Sequence, residues 1–505
     1  MSLKKVDVLL VGAGVMSATL GKLLAQLDPS LKIMMVERLS KVAHESSHGL
    51  NNAGTGHAGY CELNYTPQRP DGSVEIERAL AINAAYEVSL QFWSYLVENG
   101  VLPSPEKFIN PIYHQSFVWG EQNVAFLRKR YEALRSHHLF EEMEYSEDHA
   151  VLRQWMPLVM EHRDPKQAVA GTQVKHGTDV DFGVLTRKLV KAMTKHPTFD
   201  LRLGHTITGL KQYQDGRWHV RVKDNHTGHS KTIDAGFVFL GAGGGALPLL
   251  QKSGIPEGRG YGGFPVSGQW LICKNPAVVK RHTSKVYGKA PTGAPPMSVP
   301  HLDARIIDGQ PGLLFGPFAS ITTKFLKGGS VLDLFASIKS NNLKSMLSVA
   351  RDNLELTRYL VSEAFRSHKN RVASLQEFYA DAKEKDWELA SAGLRVQIIK
   401  GCDTNGGRLE FGTEIVTAKD GTLASLLGAS PGASTSVQAM IEVIERCFKS
   451  RVKSADWQRK LKQMIPSYGE SLDENEALLQ AVRERTLATL GLEHREGKTG
   501  SAARK

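Results

Sequence analysis

The sequence predicts an α/β fold with two domains, one built on a βαβ unit and one on an antiparallel or mixed sheet with helices. Residues 6–37 contain an apolar β-branched run, a helical pattern and a second apolar run. Residues 258–317 alternate apolar positions with Gly and Pro, which is typical of antiparallel strands joined by turns. The length of 505 residues, 41% of them hydrophobic and 23% charged, suits a large two-domain globular protein.

The βαβ unit is predicted as a strand over 6–12, a helix over 18–27 and a strand over 31–37. Its first turn, Gly12-Ala13-Gly14-Val15-Met16-Ser17, fits the pattern GxGxx(G/A/S). The first glycine permits a tight turn, the second lets backbone amides approach a pyrophosphate, and Ser17 is small enough for helix–strand packing. The N–H groups at the helix N-terminus favour phosphate. We therefore expect a Rossmann-like dinucleotide-binding domain.

Glu37 ends the second strand, where a carboxylate accepts hydrogen bonds from an adenosine ribose and repels a 2′-phosphate. This position argues against NADP and leaves NAD and FAD. Two loops of small and polar residues, 46–59 and 427–434, favour FAD because they suit binding of an extended cofactor from two sides. The residues expected to contact FAD are Gly12, Gly14, Val15, Met16, Ser17, Glu37, Arg38, Ser46, Ser47, Asn52, Thr55, Gly241, Ala242, Gly428, Gly432 and Ser434.

Further elements follow from the same periodicities. The expected helices are 76–98, 124–137, 182–195 and 434–449, with a helical region over 331–385. The expected strands are 201–213 and 218–223, which form a hairpin, 237–240, 393–399 and 409–417. The FAD-binding domain is expected to be discontinuous, because nucleotide-binding elements occur at both chain ends and near residue 240. We assign residues 1–85, 165–250 and 390–450 to it, 86–164 and 251–389 to a substrate domain, and 451–505 to a helical, basic tail that is disordered over 497–505.

The formal net charge of +11 favours acidic partners such as nucleic acid, anionic lipid or carboxylate substrates, although a merely basic solvated surface has the same composition. The four cysteines lie far apart without a CxxC pair, so we expect no zinc site, no disulfide framework and a reducing cytoplasm. The N-terminus lacks the pattern of a signal peptide, and no apolar run approaches the roughly 20 residues that span a bilayer. Any membrane contact is therefore expected to be peripheral.

Five motifs occur in order along most of the chain. They are NNAGTGHAGYCELNY at 51–65, GFPVSGQW at 263–270, VPHLD at 299–303, LFGP at 314–317 and AGLR at 392–395. With these motifs the sequence resembles bacterial malate:quinone oxidoreductases, within the wider group of D-amino-acid-oxidase-like and L-2-hydroxyglutarate-dehydrogenase-like flavoproteins. The resemblance implies oxidation of (S)-malate to oxaloacetate, with electrons passed through FAD to a membrane quinone, at the inner face of the cytoplasmic membrane.

Oxidation of a 2-hydroxy acid requires a base for the hydroxyl proton and cations for the carboxylates. His57 and His301 are the candidate bases, since both lie in loops bounded by Gly or Pro and imidazole titrates near working pH. We expect one of them to be the base and the other to bind substrate. Arg395 is the expected carboxylate ligand, because a guanidinium binds a carboxylate through two parallel hydrogen bonds and the arginine of the family's Gly-Leu-Arg motif binds substrate. The candidates for the second carboxylate are Gln269, Arg305 and Tyr65.

Two segments are candidates for membrane contact. Residues 451–465 form a basic amphipathic pattern whose apolar side carries Trp457, Leu461, Met464 and Ile465, and which suits either an anionic bilayer or packing on the protein body. Residues 318–335 combine aromatic and aliphatic side chains with two lysines, Lys324 and Lys327, and are a rival lipid-facing or quinone-facing candidate.

Two alternative functions stay open from the residues alone. One is another FAD-linked 2-hydroxy-acid enzyme, such as an L-2-hydroxyglutarate oxidase, or one that uses oxygen. The other is a nucleic-acid-associated flavoprotein, suggested by the basic charge. The positive residues are spread along the chain and no RNA-binding module is recognisable, so no nucleic-acid partner is expected.

Overall fold

The computed structural model describes residues 4–290, 299–401, 406–428 and 432–493. Cys402, positions 429–431 of the second loop and the expected disordered end at 497–505 lie outside the described residues.

The strands of the described chain are β1 Lys4–Val11, β2 Ile33–Val36, β3 Ile109–Pro111, β4 Tyr113–Trp119, β5 Glu144–Ser146, β6 Val169–Val174, β7 Thr178–Val180, β8 Phe199–Arg202, β9 His205–Gln212, β10 Trp218–Asp224, β11 Ser230–Leu240, β12 Gly262–Cys273, β13 Ser284–Tyr287, β14 His301–Ile307, β15 Gln310–Ile321, β16 Glu388–Ser391, β17 Arg395–Lys400, β18 Arg408–Glu410, β19 Thr413–Thr417 and β20 Leu423–Gly428. Its α-helices are α1 Val15–Leu27, α2 Glu77–Glu98, α3 Glu121–Arg135, α4 His149–Trp155, α5 Pro157–Met160, α6 Phe182–Met193, α7 Ala246–Ser253, α8 Pro276–Val279, α9 Asp333–Ala336, α10 Leu343–Asp352, α11 Leu354–Ala364, α12 His368–Gln376, α13 Ser436–Cys447, α14 Lys449–Val452, α15 Ala455–Met464 and α16 Glu476–Leu490.

The first sheet contains the predicted βαβ unit. Five of its strands are parallel, in the order β20, β11, β1, β2, β8, while β19 and the hairpin β9–β10 add antiparallel strands. Val8, Leu9 and Leu10 of β1 are fully buried, as in a parallel strand that is covered on both faces. The carboxyl ends of β1, β2 and β11 lie side by side, so the residues that follow them meet at one edge of the sheet.

The second sheet is mixed. Its order is β18, β17, β12, β15, β14, β13, β4, β6, β5, with β16 paired to β12, and only the contact between β13 and β4 is parallel. The structure therefore confirms the predicted fold class, a Rossmann-like α/β unit with a second domain on a mixed sheet.

Strand pairing departs from the expected domain boundaries in three places, one of which is the pairing of β7 with β3 across the boundary at residue 165. Residues 169–174 form β6 and residues 395–410 contain β17 and β18, all in the second sheet, although we assigned both stretches to the FAD-binding domain. The single strand expected over 409–417 is two strands, because the chain leaves the second sheet after β18, turns at Gly412 with φ of +138° and enters the first sheet as β19. Apolar alternation predicts that a strand forms, but not which strand it pairs with.

The C-terminal segment packs on the body of the protein. Helices α15 and α16 join α1, α2, α6 and α13 in the largest apolar core, where Trp457, Leu461, Met464 and Ile465 are buried. The apolar side of 451–465 is therefore used in packing and is not available to a bilayer. Helix α16 lies in the tail that was expected to be helical, although its own bounds were not predicted from the sequence. None of the described helices is long and apolar enough to cross a membrane.

Candidate active site

A cavity of about 720 Å³ lies at the carboxyl edge of the first sheet, a usual size for a ligand site. Its walls include all but one of the residues expected to contact FAD. The exception is Ser17, which is fully buried in α1 with its hydroxyl 3.5 Å from the carbonyl oxygen of Val11. Ser17 thus occupies the packing position that the motif assigns to a small residue, behind the wall of the cavity.

The turn after β1 has the geometry that a pyrophosphate needs. Gly12 has φ of +93°, and a Cβ there would lie 2.6 Å from the carbonyl oxygen of Gly241. The carboxylate of Glu37 accepts hydrogen bonds from the N–H groups of Ala13 (2.7 Å) and Leu39 (2.8 Å), and is held against this turn. Gly12 and Glu37 therefore lie on the same wall of the cavity, as the corresponding residues do in dinucleotide-binding sites.

The two loops that favour FAD are joined to each other. The Ser434 hydroxyl donates to the carbonyl of Thr55 (2.9 Å) and accepts from the N–H of His57 (3.1 Å). The hydroxyl of Ser47 accepts a hydrogen bond from the N–H of Val15 at the start of α1 (2.9 Å). Residues of both loops line the same cavity, so the cofactor site is enclosed from two distant parts of the chain.

The glycines of the NNAGTGHAG motif make room for buried side chains. Gly54 has φ of +59°, and a Cβ there would collide with the guanidinium of Arg305. A Cβ on Gly56 would collide with the hydroxyl groups of Thr178 and Tyr86. Glycine is therefore required at both positions, because any larger residue would collide with the side chains that pack against the loop.

A group of stacked rings lies next to the cavity. His301 stacks on Tyr287, with ring centroids 4.2 Å apart and planes 6° apart, and Tyr287 lies 6.2 Å from His57. The Tyr287 hydroxyl bonds the hydroxyl of Thr55 at 2.8 Å. His57 and Thr55 line the cavity, and Tyr287 contacts both of them. The structure thus brings the two candidate bases into one cluster.

The two histidines have different electrostatic surroundings. Burial, together with the nearby His114 and His301, lowers the pKa of His57 to about 3, so its imidazole is neutral. The Nδ1 of His301 lies 2.8 Å from Oδ2 of Asp303. Burial alone would raise the pKa of Asp303, but the charges of His301 and Lys285 outweigh it and hold that pKa at about 2. Asp303 is therefore a carboxylate, which orients His301 and stabilises a positive charge on it.

Lys285 connects Asp303 to a second buried carboxylate. Its fully buried Nζ lies 3.0 Å from Oδ1 of Asp179 and 3.7 Å from Oδ2 of Asp303, and it donates to the carbonyl of Ala53 (3.0 Å). These contacts compensate the desolvation of the three charges, since each has an opposite charge within reach. The network fixes Asp303 relative to the loop that carries His57.

Arg305 has a different position from the one expected of a substrate ligand. Its buried guanidinium pairs with Asp179, with Nε 2.6 Å from Oδ1, and donates to the carbonyl of Asn52 at 2.9 Å. It does not line the cavity. These contacts assign Arg305 to holding the loop around Gly54, because its charge is already neutralised by protein groups.

Arg395 lines the cavity at the start of β17, with Tyr65 and Glu62 among its electrostatic partners. Burial lowers the pKa of Arg395, although these neighbours oppose the shift. Tyr65 is buried with its ring centroid 5.9 Å from that of His57, so it belongs to the same region. Gln269 is half-buried on β12 beside Trp270, whose ring contacts His301, and it does not line the cavity.

Sequence reasoning missed four residues of this region: Glu62, Asp179, Lys285 and Tyr287. Burial raises the pKa of the Glu62 carboxyl to about 7, against the opposing charges of Arg130, Arg78 and Arg395. Lys285 and Tyr287 lie on β13, whose four residues are all buried. A lysine inside a short buried strand was the only signal available, and it needs the pairing of β13 with β14 to be interpreted.

The side chains present fit FAD. One cavity combines the Gly12 turn, Glu37 and the α1 N-terminus, which suit an adenosine diphosphate, with His57 and Arg395, which suit an anionic substrate. The family model for malate:quinone oxidoreductase matches residues 4–492. The chain belongs to the malate:quinone oxidoreductase family. This membership confirms the predicted family, enzyme class and FAD cofactor, and it does not favour either alternative function.

Individual relatives agree with the family model. A probable malate:quinone oxidoreductase of Hahella chejuensis is 67% identical over 493 residues, covering 98% of this chain and 99% of the relative. A second one, of Methylobacillus flagellatus, is 64% identical over 486 residues, covering 96% and 98%.

Two solved structures share the fold at low identity. FAD-bound L-α-glycerophosphate oxidase from Mycoplasma pneumoniae has 16% identity and a TM-score of 0.57. Glycine oxidase from Geobacillus kaustophilus has 14% identity and a TM-score of 0.58. Each match covers 88% of this chain and 95% of the other chain.

Proposed function

We propose that the chain oxidises (S)-malate to oxaloacetate at FAD and passes the electrons to a quinone, with the His301–Asp303 pair as the base. The observation that carries this assignment is the 2.8 Å contact between His301 and Asp303 beside a cavity that contains Arg395. When bound, FAD accepts the hydride from C2 of the substrate.

Arg395 binds one carboxylate of malate and orients the 2-hydroxyl toward the histidine cluster. His301 takes the hydroxyl proton on Nε2, since its Nδ1 bonds Asp303, and the carboxylate of Asp303 stabilises the resulting imidazolium. The substrate loses this proton and the C2 hydride, and becomes oxaloacetate.

His57 keeps a neutral imidazole and hydrogen-bonds the substrate without becoming the base. Tyr65, which lies next to His57 and Arg395, is the proposed ligand of the second carboxylate. Arg305 is left out because Asp179 and the loop carbonyls occupy its guanidinium.

Anaerobic mixing of the FAD-loaded protein with (S)-malate tests the substrate. We expect the flavin absorbance to bleach with (S)-malate and not with L-2-hydroxyglutarate, and a quinone analogue to restore it faster than oxygen does. Bleaching by L-2-hydroxyglutarate alone would contradict the proposal.

His301→Gln and His57→Gln distinguish the two histidines. We expect His301→Gln to slow flavin reduction at saturating malate, because the base is lost, and His57→Gln mainly to raise KM. The reverse pattern would assign the base to His57.

We also propose that the chain acts in the cytoplasm, as a peripheral protein on the anionic inner face of the cytoplasmic membrane. The support is the net charge of +11 and an acceptor that dissolves in lipid. In broken cells, malate-dependent dye reduction is then expected to sediment with membranes at low salt and to be released at high salt. Activity in the supernatant at low salt would overturn this location.

A further inference from the structure

Exposed large apolar side chains are concentrated in one segment of the described chain. Twelve such residues are strongly exposed, and ten of them lie between residues 321 and 365. They include Val331, Leu332, Phe335, Leu347, Val361 and Phe365, of which Phe365 is 85% exposed. Scattered apolar residues on a surface are normal, but a concentration of this kind marks an interaction site.

Helix α11 is apolar on two opposite sides. Leu356 and Leu360 pack toward β15, in a cluster with Val266 and Ala319. The other side of the helix exposes Leu354, Val361 and Phe365. A surface helix that needs only one partner has a polar outer side. The outer side of α11 is therefore built for a second apolar environment.

Helix α10 repeats this arrangement. Val349 is buried, whereas Leu343 and Leu347, one turn apart, are exposed. Helix α10 packs against α11, and Asn342 connects it to α9, since its side chain donates to the carbonyl of Ser337 at 3.0 Å. Nine of the ten exposed residues thus lie on or next to three consecutive, connected helices, whereas Ile321 lies on β15. We call residues 331–365 the α9–α11 surface.

Basic residues are interspersed with the apolar residues of this surface. Lys339, Lys344 and Arg358 are exposed, and none forms an ion pair with another described residue. Of the two exposed acidic residues, Asp352 is paired with Arg351. Apolar side chains among unpaired lysines and arginines are the composition of helices that lie at an anionic bilayer, where the long basic side chains reach the headgroups.

The α9–α11 surface begins at the rim of the cofactor cavity. Leu326, Ser330 and Asp333 line the cavity, and the intervening Val331 and Leu332 are exposed. The carboxylate of Asp333 accepts hydrogen bonds from the N–H groups of Phe325 and Ser330, both at 3.1 Å, and so fixes this edge. The α9–α11 surface therefore adjoins the wall of the cofactor cavity.

We propose that the α9–α11 surface docks on an anionic lipid bilayer and presents the mouth of the cofactor cavity to it. This inference rests on the proposed function, in which a lipid-dissolved quinone is the acceptor. Of the expected segment 318–335, only the part from Val331 belongs to this surface, because Phe318 and Phe325 are buried.

Vesicle flotation with the FAD-loaded full chain tests the docking surface. We expect wild-type protein to float with vesicles of phosphatidylglycerol and phosphatidylcholine, and Leu347→Gln combined with Phe365→Gln to weaken binding at least tenfold. Tyr213→Gln is the matched control, since Tyr213 is exposed but lies outside the α9–α11 surface. Equal binding of the double variant and wild type would overturn the proposal.

A charge test uses equal changes at two places. Lys344→Glu with Arg358→Glu should abolish the preference for anionic vesicles, whereas Lys223→Glu with Lys231→Glu, on the hairpin β9–β10 and the adjoining β11, should preserve it. Equal loss in both pairs would mean that only net charge matters, and would overturn a local docking surface.

Assays with two electron acceptors, one dissolved in water and one in the bilayer, distinguish failure of the docking surface from failure of the proposed function. Malate-dependent reduction of a water-soluble dye should be unchanged in all four variants, while reduction of a quinone within vesicles should fall in the two α9–α11 variants. Absence of dye reduction in wild type would refute the proposed function itself. If Leu347→Gln with Phe365→Gln instead converts a dimer to a monomer in solution, the surface is an interface between copies and the bilayer proposal fails.

Discussion

Asp303 is a buried carboxylate whose charge is used at His301. Replacement by asparagine keeps the shape but cannot stabilise an imidazolium or select the tautomer of His301. We expect Asp303→Asn to slow flavin reduction by malate about 100-fold or more, measured by anaerobic stopped flow. Asp308→Asn, on the exposed turn after β14, is the control and should change little. Equal rates in both variants would exclude the His301–Asp303 pair as the base.

Glu62 gives the site a pH dependence. Because burial holds its pKa at about 7, it gains negative charge as the pH rises from 6 to 8, next to the arginine that binds malate. We expect KM for malate to rise over this interval in wild type, and the rise to flatten in Glu62→Gln. An unchanged KM profile in the variant would show that Glu62 does not act on Arg395.

The raised pKa of Glu62 also makes the folded state less stable as the pH rises. The folded state favours the protonated carboxyl, so this contribution is present below the ordinary pKa of about 4.3 and is lost as the pH rises through about 7. Glu62→Gln should therefore remove this loss, which thermal unfolding at pH 5 and pH 8 measures.

The site residues that can be predicted from the sequence are those marked by a pattern in their immediate neighbours along the chain. Gly12 and Glu37 follow from a turn and a strand end within one βαβ unit, and Ser47 follows from the polar loop shortly after that unit. Lys285 and Tyr287 were not predictable, since their positions depend on β13 pairing with β4 and β14, which are distant in sequence.

Among the elements, the loop before α13 depends on one hydroxyl. Ser434 makes two hydrogen bonds to the loop that contains Thr55 and His57, worth about 1–3 kcal/mol together. We expect Ser434→Ala to weaken FAD binding about tenfold, measured by the return of free flavin fluorescence. Ser436→Ala is the matched control, because its hydroxyl is buried without a hydrogen-bond partner among the described residues. Equal effects would mean that the link between the loops does not hold FAD.

Element prediction succeeded where periodicity was long and local. The first helix, predicted over 18–27, is α1, because it buries one regular apolar stripe. The predicted hairpin is β9–β10, two neighbours in sequence, although the start of its predicted first strand belongs to β8, which pairs with β2. The stretch 409–417 failed because β18 and β19 belong to different sheets, a choice made by partners far along the chain.

At the scale of the whole molecule, Arg483 connects helix α16 to helix α2 in the core. Its guanidinium pairs with the buried Glu87 of α2 at 2.7 Å, whereas Arg485 pairs with Glu98 at the surface. We expect Arg483→Met to lower the free energy of unfolding by about 3–5 kcal/mol, because it leaves the Glu87 charge buried without its partner. Arg485→Met should cost about 0–1 kcal/mol. Thermal melts of the two variants provide the comparison, and equal melting temperatures would refute the role of α16.

The passage of Arg305 beneath Gly54 has a consequence for the order of assembly. A side chain from β14, in the second sheet, supports the loop that encloses the cofactor of the first, so that loop reaches its final shape only after the second sheet has formed. The nucleotide-binding half is therefore not a self-sufficient folding unit, although it carries the recognisable motif. Arg305→Met in the full chain should therefore release FAD on gel filtration, whereas Arg187→Met, which removes only a surface ion pair with Asp308, should retain it. Retention of FAD by Arg305→Met would show that the loop takes its shape without this support.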